Sequence, residues 1–138
     1  MNDIAFAWGI GAVCGSRSML GPALVANTLA TGPARGLTTI VAAVEMLADK
    51  SAHVGARTDA LPLTGRLATG ALSAAACAAP GRRLRAAAAG AAGALAFAYG
   101  LYHLRRFVTG RLGVPDAAAG LSEDALAMAM GGLLLRHR

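Results

Sequence analysis

Eight ionisable residues stand within or beside apolar runs of this chain: Arg17, Glu45, Asp49, Lys50, Arg57, Arg66, Glu123 and Asp124. Acids and bases inside apolar helices pair with one another, relay protons or line the path of a charged solute. Glu45 and Asp49 are four residues apart, so on a helix both carboxylates share one face. Arg17 lies in the middle of IAFAWGIGAVC, GSRSML and GPALVANTLA. A charge at the centre of a membrane helix costs about 2.5–3.5 kcal/mol on insertion scales. Arg17 therefore needs a polar partner, and Glu45 is the first choice. Among Arg17, Glu45, Asp49, Lys50, Arg57 and Arg66, bases outnumber acids four to two, which favours an anionic or zwitterionic solute.

Other residue combinations do not assemble into sites. GIGAVCG, residues 9 to 15, matches the glycine spacing of a dinucleotide-binding turn. That turn needs a strand before it and a helix after it, and only eight residues precede Gly9. Gly11 and Gly15 fit better as a small-residue face for close helix packing. Cys14 and Cys77 lie far apart in apolar runs and read as inert buried thiols, not metal ligands. His53, His103 and His137 are solitary and share no ligand spacing. No serine has a nearby His and carboxylate in a recognisable elbow. Nothing thus argues for an enzyme, a metal or a cofactor. Trp8, Tyr99 and Tyr102 suit anchors at a membrane interface.

The elements that must hold these residues follow from composition. Of 138 residues, 56% are hydrophobic and 14% charged, with a mean hydropathy of +0.53. Soluble domains carry about 25% charged residues. Alanine supplies 35 residues and glycine 18. Side chains this small bury little area, at about 25 cal/mol per Å², and would make a weak soluble core. In a bilayer they let helix backbones approach. The net charge of +6 comes largely from arginines in twos and threes at segment ends. The basic stripe with interleaved aromatics that suits nucleic acid is missing. Asp3 stands where a cleavable signal peptide would carry a basic region, so the first apolar stretch reads as an uncleaved span.

Punctuation divides the chain into five candidate helices. The first runs from Ile4 to Ala30, with a kink expected at Pro22. The second starts at Thr31-Gly32-Pro33, with proline at the first helical position, and continues to Lys50. The polar loop SAHVGARTDA follows. Leu61-Pro62 opens the third, which ends near Pro80-Gly81. The fourth runs from Arg85 to Gly110, and the fifth from Ala117 to Leu135 with Asp116 as its N-cap. Helices two, three and five carry internal charges, so one or more is re-entrant or interfacial. The fold class is an all-α integral membrane helical bundle of about five helices, four to five of them spans. Residues 1–138 form a single transmembrane helical domain.

The run E45-MLA-D49-K50-SAHVGA-R57-T-D59-ALPLTG-R66-LATG-A71 resembles a bacterial membrane family, the domain of unknown function numbered 4126. Its members show a similar glutamate, then Asp-Lys, a short loop with Arg-Thr, and Gly-Arg before a Gly/Ala-rich helix. Their opening Gly-x-Arg-Ser segment and following proline are matched by Gly15, Arg17, Ser18 and Pro22, and Glu123-Asp124 also fits the pattern. The resemblance covers most of the chain and implies a small multi-pass protein, without implying a reaction. Glu45 to Ser51 is also similar to the Glu-x-Gly-Asp-Lys-Thr/Ser signature of a small cation-exchanger family. Here the spacing is one residue longer, which turns the carboxylates by about 100° on a helix.

Two functions follow as expectations. One is a small multi-pass transporter or channel-like protein with an Arg/carboxylate-lined centre for a small, anionic solute. The other is a non-catalytic structural or assembly subunit of a membrane complex, in which the charges lock helices together. The partners expected are the lipid bilayer, a second copy of the chain in a homo-oligomer (a dimer first) and a small solute, without nucleic acid. With five spans, six basic residues fall on each side, so the positive-inside rule alone gives no orientation. Holding Lys50, Arg57 and Arg66 for the interior favours a cytoplasmic C-terminus in the bacterial cytoplasmic (inner) membrane.

Overall fold

The computed structural model describes residues 2–29, 32–48 and 60–136, excepting the side chains of residues 34, 35, 43 and 45–48. The described residues form six α-helices and one 3-10 turn, with no strand among them. Helix α1, Asp3–Ser16, starts where the Asn2 side chain accepts the Ile4 N–H at 2.8 Å. It stops at Arg17, whose backbone is extended at φ −144°, ψ 119°. Helix α2, Leu20–Leu29, begins three residues later.

The two helices fold back on each other. Phe6 and Ile10 of α1 share a buried cluster with Val25 of α2. A Cβ added to Gly21 would strike the Cys14 sulfur and lie 3.6 Å from the Ile10 carbonyl oxygen. Residues eleven apart on one continuous helix would stand about 16 Å apart along its axis. The single span expected from Ile4 to Ala30 is thus an antiparallel helical hairpin with Arg17, Ser18 and Met19 at its tip. Proline is the physical reason. A continuous helix would drive the Pro22 ring into the Ser18 carbonyl four residues back. As the third residue of α2, Pro22 needs no N–H partner. The chain breaks ahead of the proline and does not kink at it.

Helix α3, Pro33–Ala48, follows Gly32, whose φ of 78° suits glycine. Pro33 occupies its first position, as the sequence implies. The helix packs chiefly on α2, where the Asn27 amide donates to the Thr39 hydroxyl at 3.0 Å. Helix α4, Ala60–Ala76, ends earlier than the expected Pro80-Gly81. The ring of Pro80 would meet the Ala76 carbonyl, and the pre-proline residue Ala79 is extended at φ −59°, ψ 148°. The 3-10 turn Pro80–Arg82 leads into α5, Arg83–Arg111, and α6 is Asp116–Arg136. Gly113, at φ 67°, reverses the chain between α5 and α6.

Small residues set the packing. Gly11 of α1, Gly70 of α4 and Gly90 of α5 meet where the three helices cross. A Cβ on Gly11 would fall onto the Gly90 carbonyl, and one on Gly90 onto the Gly70 carbonyl. Gly15 lies against Ala94, so Gly11 and Gly15 form the close-packing face that their spacing implies. α1 is parallel to α5, through Gly11 on Gly90 and Gly15 on Ala94. It is antiparallel to α4, through Ala7 with Ala74 and Gly11 beside Gly70, and to α6, through Gly9 against Leu134 and Val13 with Ala127.

Many large apolar side chains face outward. Leu61 and Leu84 are 85% and 83% exposed, whereas Arg17 and Arg66 are each 3% exposed. Leu37, Ile40, Val41 and Val44 form one stripe along α3 and are all exposed. Two helical stretches, Pro80–Arg111 and Asp116–Arg136, are long and apolar enough to cross a membrane. The hairpin arms of 14 and 10 residues reach about 21 and 15 Å at 1.5 Å per residue, short of a hydrocarbon core of about 30 Å.

Candidate functional site

The hairpin tip brings Arg17 to α6. Arg17 Nε donates to Asp124 Oδ1 at 2.7 Å, and Nη2 lies 2.5 Å from the same oxygen. Both side chains are buried. The sequence places Glu123 next to Asp124, and consecutive helical residues point about 100° apart. The two acids therefore reach different arginines. Glu123 Oε2 lies 3.6 Å from Nη1 of Arg105 on α5. Arg105 also grips Asp116 with both prongs of its fork, Nε to Oδ1 at 2.7 Å and Nη2 to Oδ2 at 2.6 Å. The result is a run of charges from the hairpin tip, across α6, to the start of that helix.

Arg66 belongs to the same level of the bundle. The antiparallel register that sets Ala7 with Ala74 and Gly11 beside Gly70 places Arg66, one turn further along α4, at the level of the hairpin tip. Arg17 is answered by Asp124, and Arg105 by Asp116 and Glu123. Charges removed from water are tolerable only when compensated in this way.

Of the eight residues singled out by sequence, the structure pairs Arg17 with Asp124, turns Glu123 toward Arg105, and buries Arg66 in α4. Glu45 lies in the last turn of α3, and its side chain is outside the described residues, so the Arg17–Glu45 pairing lies there too. Asp49, Lys50 and Arg57 also lie outside the described residues. Arg17 is held by Asp124, a carboxylate 107 positions away in sequence.

Sequence reasoning passed over Arg105 and Asp116. Arg105 read as a span flank and Asp116 as an N-cap. In the structure Asp116 is the first residue of α6, and the Pro115 carbonyl accepts from Ala118 and Ala119. The Arg105 fork holds the Asp116 carboxylate. The available signal was the turn itself: Gly113 and Pro115 force a hairpin, which brings the last turns of α5 opposite the first of α6.

Among the described residues no group of three or more His, Cys, Asp or Glu side chains could hold a metal ion. Cys14 is buried, Cys77 is half-buried, and neither forms a disulfide among the described residues. No protein-family model matches the chain, and no curated protein or solved structure is detectably similar to it.

Proposed function

We propose that the protein is a small membrane bundle whose buried arginine–carboxylate layer forms part of a path for a small anionic or zwitterionic solute. The observation that carries this reading is the Arg17–Asp124 pair at the tip of a hairpin too short to span. Non-helical backbone at membrane depth is tolerated only where protein buries it or where it lines a watery cavity. Half-helices that end near the midplane are how many transporters place polar groups beside a solute. Two buried arginines, Arg17 and Arg66, beside leucines as exposed as Leu61 and Leu84 support a lipid setting. The resemblance to the uncharacterised bacterial family numbered 4126 belongs to the same reading.

In this reading the membrane is the bacterial cytoplasmic membrane and the chain forms a homo-oligomer, a dimer first. Arg82, Arg83 and Arg85 precede or open α5, and Arg136 closes the antiparallel α6 at the same end of the bundle. At the other end Arg105 is engaged by acids, leaving Arg106 and Arg111. The positive-inside rule then puts the C-terminus in the cytoplasm.

The test is flux into liposomes holding the pure protein, with a panel of inorganic anions, organic acids and amino acids. Transport above empty vesicles, lost in a folded Asp124→Asn variant, is the expected outcome. Movement of none of them would remove the basis for a solute path. A second reading, an assembly subunit whose charges are locks, draws on the α3 stripe of Leu37, Ile40, Val41 and Val44, all exposed. A stoichiometric foreign subunit retained through purification in mild detergent would favour it.

A further inference from the structure

A cavity of about 420 Å³ opens at the end of the bundle opposite the hairpin tip, lined by Asn2, Asp3, Ile4, Ala78, Arg82, Arg85 and Ala86. It forms where α1 begins, α4 has ended and α5 begins. Its polar side and its apolar side differ in kind. On the polar side Arg82 Nη1 lies 2.5 Å from Asp3 Oδ2, so one arginine is already neutralised. Arg85 makes no ion pair with any described residue, and its charge is free for an incoming anion. On the other side Ile4 is exposed beside Ala78 and Ala86. Two guanidinium groups at the mouth of an apolar recess match a group with an anionic head and a hydrocarbon body.

We propose that this cavity binds the phosphate of an anionic phospholipid, with Arg85 and Arg82 on the headgroup and an acyl chain along Ile4, Ala78 and Ala86. The proposal rests on the membrane reading above, since it places this end of the bundle at the headgroup level. Arginine suits the role because its planar fork meets phosphate oxygens bidentately. Basic pockets between membrane helices recognise anionic headgroups by the same chemistry. Asp3 competes with the phosphate for Arg82 and so tunes the affinity downward.

The experiment is lipid binding to the purified full-length chain by native mass spectrometry in mild detergent, comparing phosphatidylglycerol with phosphatidylcholine. Preference for phosphatidylglycerol is expected. Arg85→Gln and Arg82→Gln should each weaken it about fivefold, the effect of one basic residue near an anionic surface. Arg83→Gln removes the same charge but does not line the cavity, and should leave binding unchanged. Asp3→Asn should tighten it. Helix content by circular dichroism shows that each variant folds. Equal losses for Arg83→Gln and Arg85→Gln would mean general attraction to the surface and would overturn the site, as would equal binding of both lipids. Competition by inorganic phosphate at the same concentration would assign the recognised group to a soluble anion and would overturn the lipid assignment. Alkaline extraction of membranes separates this failure from failure of the membrane reading. A chain that stays in the pellet but shows no Arg85 dependence loses only the site. A chain released to the supernatant loses the membrane reading and the lipid with it.

Discussion

Removal of one member of the Arg17–Asp124 pair leaves the other charge buried. Two guanidinium nitrogens share one carboxylate oxygen at 2.7 and 2.5 Å, and the side chains are 3% and 8% exposed. Two unit charges about 4 Å apart attract by about 4 kcal/mol at an effective dielectric constant near 20. Breaking buried pairs by removing one partner costs about 3–5 kcal/mol. Arg17→Leu and Asp124→Leu should each therefore destabilise the protein by roughly that amount. The double variant should recover most of the loss, because apolar replacement of a whole buried pair is often neutral. The assay is reversible unfolding in mixed detergent, read as a double-mutant cycle with a coupling of more than about 1 kcal/mol. Asp124→Asn should cost more than Glu123→Gln, since Glu123 meets Arg105 only at 3.6 Å. Additive single effects, or equal costs for the two acids, would refute the pairing.

Gly90→Ala places a Cβ on the Gly70 carbonyl and should destabilise the bundle by about 1–3 kcal/mol, as overpacking does. Gly100→Ala, where a Cβ meets nothing within 4 Å, should be neutral or stabilising by up to about 1 kcal/mol in the same unfolding assay. In a background with Cys14 and Cys77 replaced, single cysteines at Asn2 and Thr28 should react with an impermeant maleimide from the same face of the membrane; labelling from opposite faces would mean that the first apolar segment spans. Arg105→Lys loses the two-pronged grip on the exposed Asp116 carboxylate, and the cost should stay below about 1 kcal/mol in thermal unfolding.

Helix boundaries were legible wherever proline or glycine forced them. Pro33, Pro62, Pro80 and the Gly113–Pro115 turn mark helix starts or breaks within a few residues of their observed places. The fold-back at Arg17 was hidden, because hydropathy reads the same along two antiparallel arms as along one span. Pro22 held the clue, since its ring excludes a helical carbonyl four residues earlier. The buried charges were legible one by one: an arginine among alanines stands out against any composition. Their pairing was not, because Arg17 and Asp124 are joined through helix packing and not through sequence spacing. The Arg105–Asp116 pair was hidden because a residue at the start of an apolar run looks the same whether or not it answers an arginine on the neighbouring helix.

The locking and conducting readings differ in what they ask of Arg17. A lock can sit anywhere along two helices, and Arg105–Asp116 at the α5–α6 turn has the geometry of one: two prongs, a partner largely in the open, a hairpin held shut. Arg17 lies elsewhere, at the tip of a pair of short helices, where the backbone leaves helical geometry. A hydrophobic residue there would cost less to bury, and whole-pair replacements often raise stability. Stability alone therefore gives little reason for an arginine at that tip. Recognition of a charge gives one: a tip arginine already held by Asp124 can exchange that carboxylate for a solute anion without ever lying buried and uncompensated. The Arg17→Leu/Asp124→Leu protein separates the two roles, because it should retain its fold under either reading and carry solute under neither. Retained flux in that folded double variant would take Arg17 out of the path and leave it a lock.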